Sequence, residues 1–553
     1  MSELIKVYCT NLERYVEVAG GTTLLEIARM VEDDLGFKPI CAHVNNKTEA
    51  LAYPVYAPKD VEFLNRRASS GERAYVRSLC MMLYSAVSRL YPGRKLRIEH
   101  SVSRGYFCRL EGTGGIDTAA ITAEMRALNA ADIPFERHEG RTEEVAEIFR
   151  RQGLDDKVLL LHTVHEPYTV YYTLGDIADS YYGCLAPSTG HIDVFALTPY
   201  EDGMLLRAFD TENPEMPPIP VPQAKMFNAF TAYQSFNRIV GVSNVGELNE
   251  EVDRGNASQL INVAEALHNK YIAAIADEIT RRYHEDGVRV ILVAGPSSSG
   301  KTTTTKRLAI QLMTNLLRPV MISLDNYFVN REFTPRDADG DYDFESLYAL
   351  DLAKFNEDLT DILAGKEVEL PTYSFELGKR LYTGEKVRLG AGDVLLMEGI
   401  HGLNPELTVS IPENVKFRIY VSALTTLSID DHNWVPTTDN RLLRRIVRDY
   451  KYRGTSAAET LRRWPSVRRG EERWIFPYQE NADATFNSSL IFELGVMRDY
   501  ADKVLRDVHS DEPEYAAAYR LRKFMSYFRP IPMEVIPPTS LLREFLGGSS
   551  FHY

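Results

Sequence analysis

One stretch constrains the fold of this chain more than any other: "VILVAGPSSSGKTTTTKRLA", Val290 to Ala309. An apolar, β-branched run leads straight into "GPSSSGKT", which fits G-x-x-x-x-G-K-[ST] from Gly295 to Thr302, and a helical pattern follows. A strand that feeds a helix through such a loop is built to hold an anion. Gly295 and Gly300 let the backbone curl so that N–H groups point inward, and the helix adds its positive N-terminus. The candidate donor-binding residues are Gly295, Pro296, Ser297, Ser298, Ser299, Gly300, Lys301, Thr302 and Thr303. Lys301 is suited to bridge the β- and γ-phosphates of ATP, and the Thr302 hydroxyl to sit on Mg²⁺.

The surrounding sequence repeats the pattern of buried parallel strands alternating with helices: "VRVILVAG", "RPVMISLD", "DVLLMEG" and "KFRIYVS". Residues 286–510 therefore read as an α/β domain. "DVLLMEG" ends on Glu398, either a strand-end residue facing solvent or the carboxylate that organises Mg²⁺. "VMISLD" ends on Asp325, either a turn residue or a general base, because ligands of such sheets bind beyond the carboxyl ends of the strands. From Arg441 to Arg473 the chain carries eleven Lys/Arg. This is either a solvated helix face or a local phosphate clamp.

The remainder of the 553 residues suggests three or four domains, and 44% hydrophobic with 25% charged residues suits a soluble globular protein. No apolar run approaches a membrane span, and the start lacks an export signal. Five scattered cysteines, never in C-x-x-C, argue for a reducing compartment, and a cytoplasmic location is expected. A net charge of −15 disfavours generic nucleic-acid binding. Residues 1–66 read as a small α+β module and 67–215 as a second one. Residues 216–285 read as a Pro-rich linker and connecting helix, and 511–553 as a docking tail.

The α/β region resembles the uridine kinase branch of the phosphoribulokinase/uridine kinase family over about residues 288–490. "SLDNYF" resembles the family's S-x-D-x-[FY]-[YF], which implies Asp325 as base and ribose contact, with a supporting role at the metal, and Phe328 in the nucleoside pocket. "YDFESLYALD" implies Phe344 and Glu345 near substrate, and "LPTYSFELGKR" implies Tyr373, Phe375 and Arg380. "TDNRLLRRIVRDYKYRG" resembles the lid signature, so Arg445, Arg448 and Arg453 are implied to reach the phosphates, with Asp439 and Arg441 at the lid's base. The catalytic set implied is Asp325, Lys301, Glu398 and Arg448, with Thr302 and Glu398 on Mg²⁺. Where the family has a base-reading His this chain has Gly378, and Ser374 replaces an Asp. The implied activity is transfer of the ATP γ-phosphate to the 5′-hydroxyl of a nucleoside, nominally uridine or cytidine. The alternatives are another acceptor, such as a purine nucleoside or sugar phosphate, or a nucleotide-switched RNA-binding regulator.

The front resembles a TGS domain, "VEVAGGTTLLEIARMVEDDLG", followed by the editing-associated second domain of threonyl-tRNA synthetases, "RAYVRSLCMMLYSAVSRLYPG" onward. The four positions of that domain's His and Cys ligands are here Arg77, Met81, Tyr181 and Leu185, which cannot supply imidazole or thiolate chemistry. The expected fold class is thus multidomain: a β-grasp module, an α+β module, and a C-terminal P-loop kinase with a parallel sheet flanked by helices. The expected partner is a small-molecule nucleoside, with RNA contact by the front half and homo-oligomers left open.

Overall fold

The structure is a computed structural model that describes residues 4–337 and 340–552. Its C-terminal half is organised by five strands: β1 (Val290–Ala294), β2 (Arg318–Ser323), β3 (Asp393–Glu398), β4 (Lys416–Ser422) and β5 (Ala484–Asn487). They pair in the order β2-β3-β1-β4-β5, and every pair is parallel. All five residues of β1 are buried, as a central strand covered on both faces requires. From β1 the chain moves to one side for β2 and β3, then crosses to the other for β4 and β5. The crevice where these directions diverge opens at the carboxyl ends of the strands, where the Gly295–Gly300 loop lies.

Helix α1 (Lys301–Thr314) presses Leu308, Ala309 and Leu312 against Ile291, Val293, Leu396 and Ile419 of the sheet. Helices α2 (Thr437–Arg453) and α3 (Ala457–Trp474) follow β4 and carry the basic run. Gly454, in the left-handed region at φ 63°, caps α2 and turns the chain toward α3. A two-stranded antiparallel hairpin, Val368–Ser374 with Lys379–Val387, stands over one side of the crevice.

The front of the chain forms a five-stranded sheet from Leu4–Cys9, Arg14–Ala19, Cys41–Val44, Lys47–Glu49 and Lys59–Leu64. Its first and last strands are parallel neighbours, which is the β-grasp arrangement. Thr23 and Glu26 form a reciprocal capping box that starts the helix Leu24–Met30. Asn45 and Asn46 both take positive φ, as the turn of the Cys41–Val44/Lys47–Glu49 hairpin requires. A 22-residue helix, Ser69–Leu90, then forms the spine of a second α+β module containing a three-stranded and a four-stranded sheet.

The proline-rich stretch does not behave as a spacer. It leads into three helices, Ala224–Val240, Val245–Asp253 and Ala257–Glu285, where a linker and one connecting helix were expected. Phe230 of the first stacks on His100 with centroids 3.8 Å apart, and Lys225 donates to the carbonyls of Glu480 and Ala482. These helices bind the second module to the C-terminal sheet. A short hairpin, Ser428–Asp430 with Asn433–Trp434, reaches back from the entrance of α2 into the second module. There the Lys157 ammonium lies 2.8 Å from both Asp179 and Asp430, and His432 Nδ1 lies 2.7 Å from Asp179, all with negligible exposure.

Candidate active site

The site grows from the end of β1. A Cβ on Gly295 would lie 1.9 Å from the Val421 carbonyl, so only glycine lets the loop leave the sheet here. Ser298 and Gly300 adopt positive φ, which folds the loop's amides into a concave nest ahead of α1. The first bond within α1 runs from the Thr304 N–H to the Gly300 carbonyl, leaving the N–H groups of Lys301, Thr302 and Thr303 as donors at the helix N-terminus. The Lys301 ammonium donates to the Pro296 carbonyl at 3.1 Å and so lies across the loop.

Two carboxylates close the crevice beside it. Glu398 ends β3, and the Thr302 hydroxyl donates to it at 3.4 Å. Burial pushes its carboxyl up to about 7; Lys301 opposes the rise while Asp325 adds to it. Asp325 sits in the single turn Leu324–Tyr327 directly after β2. Burial raises its carboxyl as well, and Lys301 and Arg453 hold it down. These residues converge because β3 and β1 pair with Glu398 opposite Val293, while β2 pairs with Ser323 opposite Glu398. The hydroxyl of Thr302 and the carboxylate of Glu398 are hard oxygen donors of the kind Mg²⁺ takes when phosphates and water complete its shell. Among the described residues no group of three or more His, Cys, Asp or Glu is spaced to hold a metal by itself.

Three arginines of α2 approach from the other wall. Arg445 donates to the Ser297 hydroxyl at 2.8 Å and ion-pairs with Asp449. Arg448 and Arg453 gather on the same Asp449, Arg453 being the more exposed. Arg441 plays a different part. Fully buried, it pairs with Glu471 at 2.8 Å and donates to the Ser297 carbonyl at 3.0 Å. Asp439 receives both arms of the Arg520 guanidinium and anchors the start of α2.

An aromatic cluster follows the turn that carries Asp325. Phe328 lies within ring-contact distance of Phe344, Tyr373 and Phe375, with centroids 6.4, 5.5 and 6.0 Å away. The Tyr373 hydroxyl is buried without a partner among the described residues, so the cluster holds one unanswered polar group. Glu345 borders it; burial pushes its carboxyl up to about 7, Glu471 adds to the rise, and Arg445 and Lys301 oppose it. Arg380 donates to Asp351 at 2.8 Å and supports the hairpin from outside the aromatic cluster. Gly378 takes φ 64° at the hairpin tip, and a Cβ there would fall 2.9 Å from the Arg331 guanidinium. Arg331 therefore occupies the space beside this glycine, and it donates to the Phe375 carbonyl.

Three residues at the site are not marked by any of the motifs. Glu471 of α3 accepts from the Ser297 N–H at 3.1 Å and ties the basic helices to the loop. His401, just past β3, is buried, and desolvation pushes its imidazole down to about 4. Its position in "MEGIHGL", three residues after Glu398, was the available signal. Glu544, from the last helix, accepts from the Thr303 N–H and hydroxyl, and no local pattern marks it.

In the second module, the four positions expected to lack catalytic ligands are taken up by packing. Arg77 donates twice to the Cys184 carbonyl, Tyr181 donates to Asp179 at 2.9 Å, and Met81 and Leu185 are core. A Cβ on Gly183 would sit 2.5 Å from the Arg77 guanidinium, so the side chain fills that pocket floor.

Residues 290–490 match the model of the phosphoribulokinase/uridine kinase family. The chain is 31% identical over 195 residues to uridine-cytidine kinase B of Dictyostelium discoideum, covering 35% of this chain and 72% of that protein. It is 32% identical over 196 residues to uridine kinase of Schizosaccharomyces pombe, covering 35% and 37%. Its N-terminal half is similar to threonine–tRNA ligases; that of Desulforamulus reducens is 32% identical over 180 residues, covering 32% of this chain and 28% of the ligase. The chain thus spans less than a third of the length of that synthetase.

Proposed function

Since this chain belongs, through residues 290–490, to the phosphoribulokinase/uridine kinase family, we propose that it transfers the γ-phosphate of ATP to the 5′-hydroxyl of a nucleoside. The observation that carries this reading is the meeting of Lys301, Thr302, Glu398 and Asp325 at the strand ends, between the loop amides and the aromatic pocket. A site that only binds a nucleotide needs the loop; it does not need a half-buried carboxylate beside an aromatic cluster.

In this reading the loop amides and Lys301 orient the phosphates of ATP. Thr302 and Glu398 would hold Mg²⁺, which when bound neutralises charge on the phosphate oxygens. Asp325 receives the proton of the acceptor hydroxyl on a carboxylate oxygen. Arg445, Arg448 and Arg453 counter the charge that spreads over the transferred group, and their shared partner Asp449 keeps them on one face of α2. Phe328, Tyr373 and Phe375 offer ring faces to a base, with the Tyr373 hydroxyl available to it.

A second acceptor reading is favoured by Gly378 and Arg331. With no imidazole at the hairpin tip and a guanidinium beside it, the pocket also suits a purine nucleoside or a phosphorylated sugar. The test is an acceptor panel: purified protein, ATP with Mg²⁺, and uridine, cytidine, adenosine, guanosine and sugar phosphates, scored for ADP and a new phosphoester. Formation of a nucleoside monophosphate, abolished by Asp325→Asn, supports the proposal. ADP release that needs no acceptor and survives Asp325→Asn overturns it, and stimulation of that release by tRNA points to a regulator instead.

A further inference from the structure

The tail "IPPTSLLREFLGGSSFHY" carries no motif, and its sequence alone suggests nothing beyond docking. In the structure it docks on the donor side of the phosphate loop. The turn Arg543–Leu546 packs along α2, and Leu541, Leu542, Phe545 and Leu546 are wholly buried. Leu541 fills the space that Gly300 leaves open: a Cβ on that glycine, at φ 82°, would lie 2.7 Å from it. Phe545 enters the core beside Leu308, Ala309 and Phe486, and the Arg444 guanidinium lies 5.2 Å above its ring. Lys451 of α2 donates to the Leu546 carbonyl, and Lys306 of α1 donates to the His552 carbonyl at 2.5 Å.

Between these anchors the Glu544 carboxylate accepts from the Thr303 backbone N–H at 3.2 Å and from the Thr303 hydroxyl at 2.6 Å. Thr303 carries one of the three N–H groups at the N-terminus of α1 that lie outside the helix's own ladder, the part of the fold suited to receive phosphate. One amide cannot serve a carboxylate and a phosphate oxygen at once, and two anions at one helix end repel. The tail thus sets an anion on an amide at the N-terminus of α1 and anchors it with buried apolar side chains on either side.

We propose that residues 536–552 are a built-in competitor for the donor nucleotide: Glu544 holds the phosphate-binding amide of Thr303, so that ATP binds by displacing that carboxylate and the turn that carries it. This rests on the reading of the loop as an ATP site.

The full-length protein and its Glu544→Gln variant are titrated with ATP–Mg²⁺ by calorimetry, and deuterium exchange of the unaltered protein is followed with and without ATP–Mg²⁺. The isosteric amide keeps the packing and removes the charge. Expected are a Kd for ATP lowered about tenfold in Glu544→Gln, the scale of one hydrogen bond to a charged group, and faster exchange across 536–552 when ATP is bound. ATP binding of equal or lower affinity in the variant, with a tail equally protected in both states, overturns the proposal while leaving the donor reading intact. If neither form binds ATP, the donor reading falls and the proposal with it.

Discussion

Asp325 and Glu398 stand at the ends of strands that share a register, yet they differ in what a proton does to them. In the proposed reaction Asp325 takes the proton of the acceptor, so Asp325→Asn should lower kcat by about 10²- to 10⁴-fold. ATP affinity should change by less than about threefold, because the amide still fills the turn after β2; steady-state kinetics beside calorimetry checks both. Glu345 is legible in a second way. Its carboxyl is pushed up to about 7 in the folded chain, against an ordinary value near 4.5, so the folded state binds the extra proton between these limits. Stability from this group is therefore greatest at low pH and falls as pH rises toward about 7. Glu345→Gln removes that slope: its Tm relative to the unaltered protein should rise by a few degrees between about pH 5 and pH 8. A gap that stays flat would show that the carboxyl titrates normally. The motif residues were readable from sequence because each answers to a fixed spacing. Gly378 reads in sequence as a missing histidine, whereas the backbone shows a left-handed hairpin tip crowded by Arg331. Restoring the family residue as Gly378→His should cost about 1–3 kcal/mol of stability through strain alone, measured by denaturant unfolding. No spacing rule carries φ, and no window of sequence holds Arg331 and Gly378 together.

At the scale of elements, the basic run divides into two functions that the sequence presents as one. Arg445, Arg448 and Arg453 gather on Asp449, with Arg445 reaching the Ser297 hydroxyl, while Arg441 and Arg444 are buried and serve as ties, Arg441 to Glu471 and the loop, Arg444 to Ser488 and Glu493. Helical periodicity places residues on faces, but it does not say which face meets carboxylates from α3 or from the segment after β5. The loop's shape therefore depends on α3: Glu471 accepts from the Ser297 N–H while Arg441 donates to the Ser297 carbonyl. Arg441→Met should leave Glu471 buried without its main partner and destabilise the protein by about 3–5 kcal/mol. A loss below about 1 kcal/mol in urea unfolding would mean that Arg468 alone satisfies Glu471.

At the scale of the whole molecule, the front half is joined to the C-terminal sheet by charge buried at the seam. Burial by itself would raise the Asp179 carboxyl; Lys157 first, and His432 after it, outweigh that and hold it well below the usual range. The carbonyl of Asp431 also receives the Ile98 N–H at 2.8 Å, so a strand of the second module continues onto the hairpin before α2. Such a seam predicts cooperative melting. Of the three tryptophans, Trp434 packs on Tyr106 of the second module, so in a Trp434→Phe background the fluorescence of Trp464 and Trp474 reports on the C-terminal half. Lys157→Met, made far away in sequence, should still lower the Tm they report, because Asp179 and Asp430 lose their shared cation at a cost of about 3–5 kcal/mol. An unchanged tryptophan transition would show that the halves unfold independently. Composition and linker residues suggested separable modules, and the seam was invisible at that level because its partners come from distant segments.

That seam also bears on the order in which a ribosome delivers the parts. Asp179 must wait 253 residues for His432, and Asp156 waits 275 for the Asp431 N–H it accepts from. Until they emerge, the nascent second module presents a buried-type carboxylate with only Lys157 to neutralise it, and an open edge where Ile98 will later bond. Late-arriving, long-range contacts of this kind leave surface exposed to aggregation during synthesis. The front half, although it begins the chain, is among the last parts of it that can finish folding.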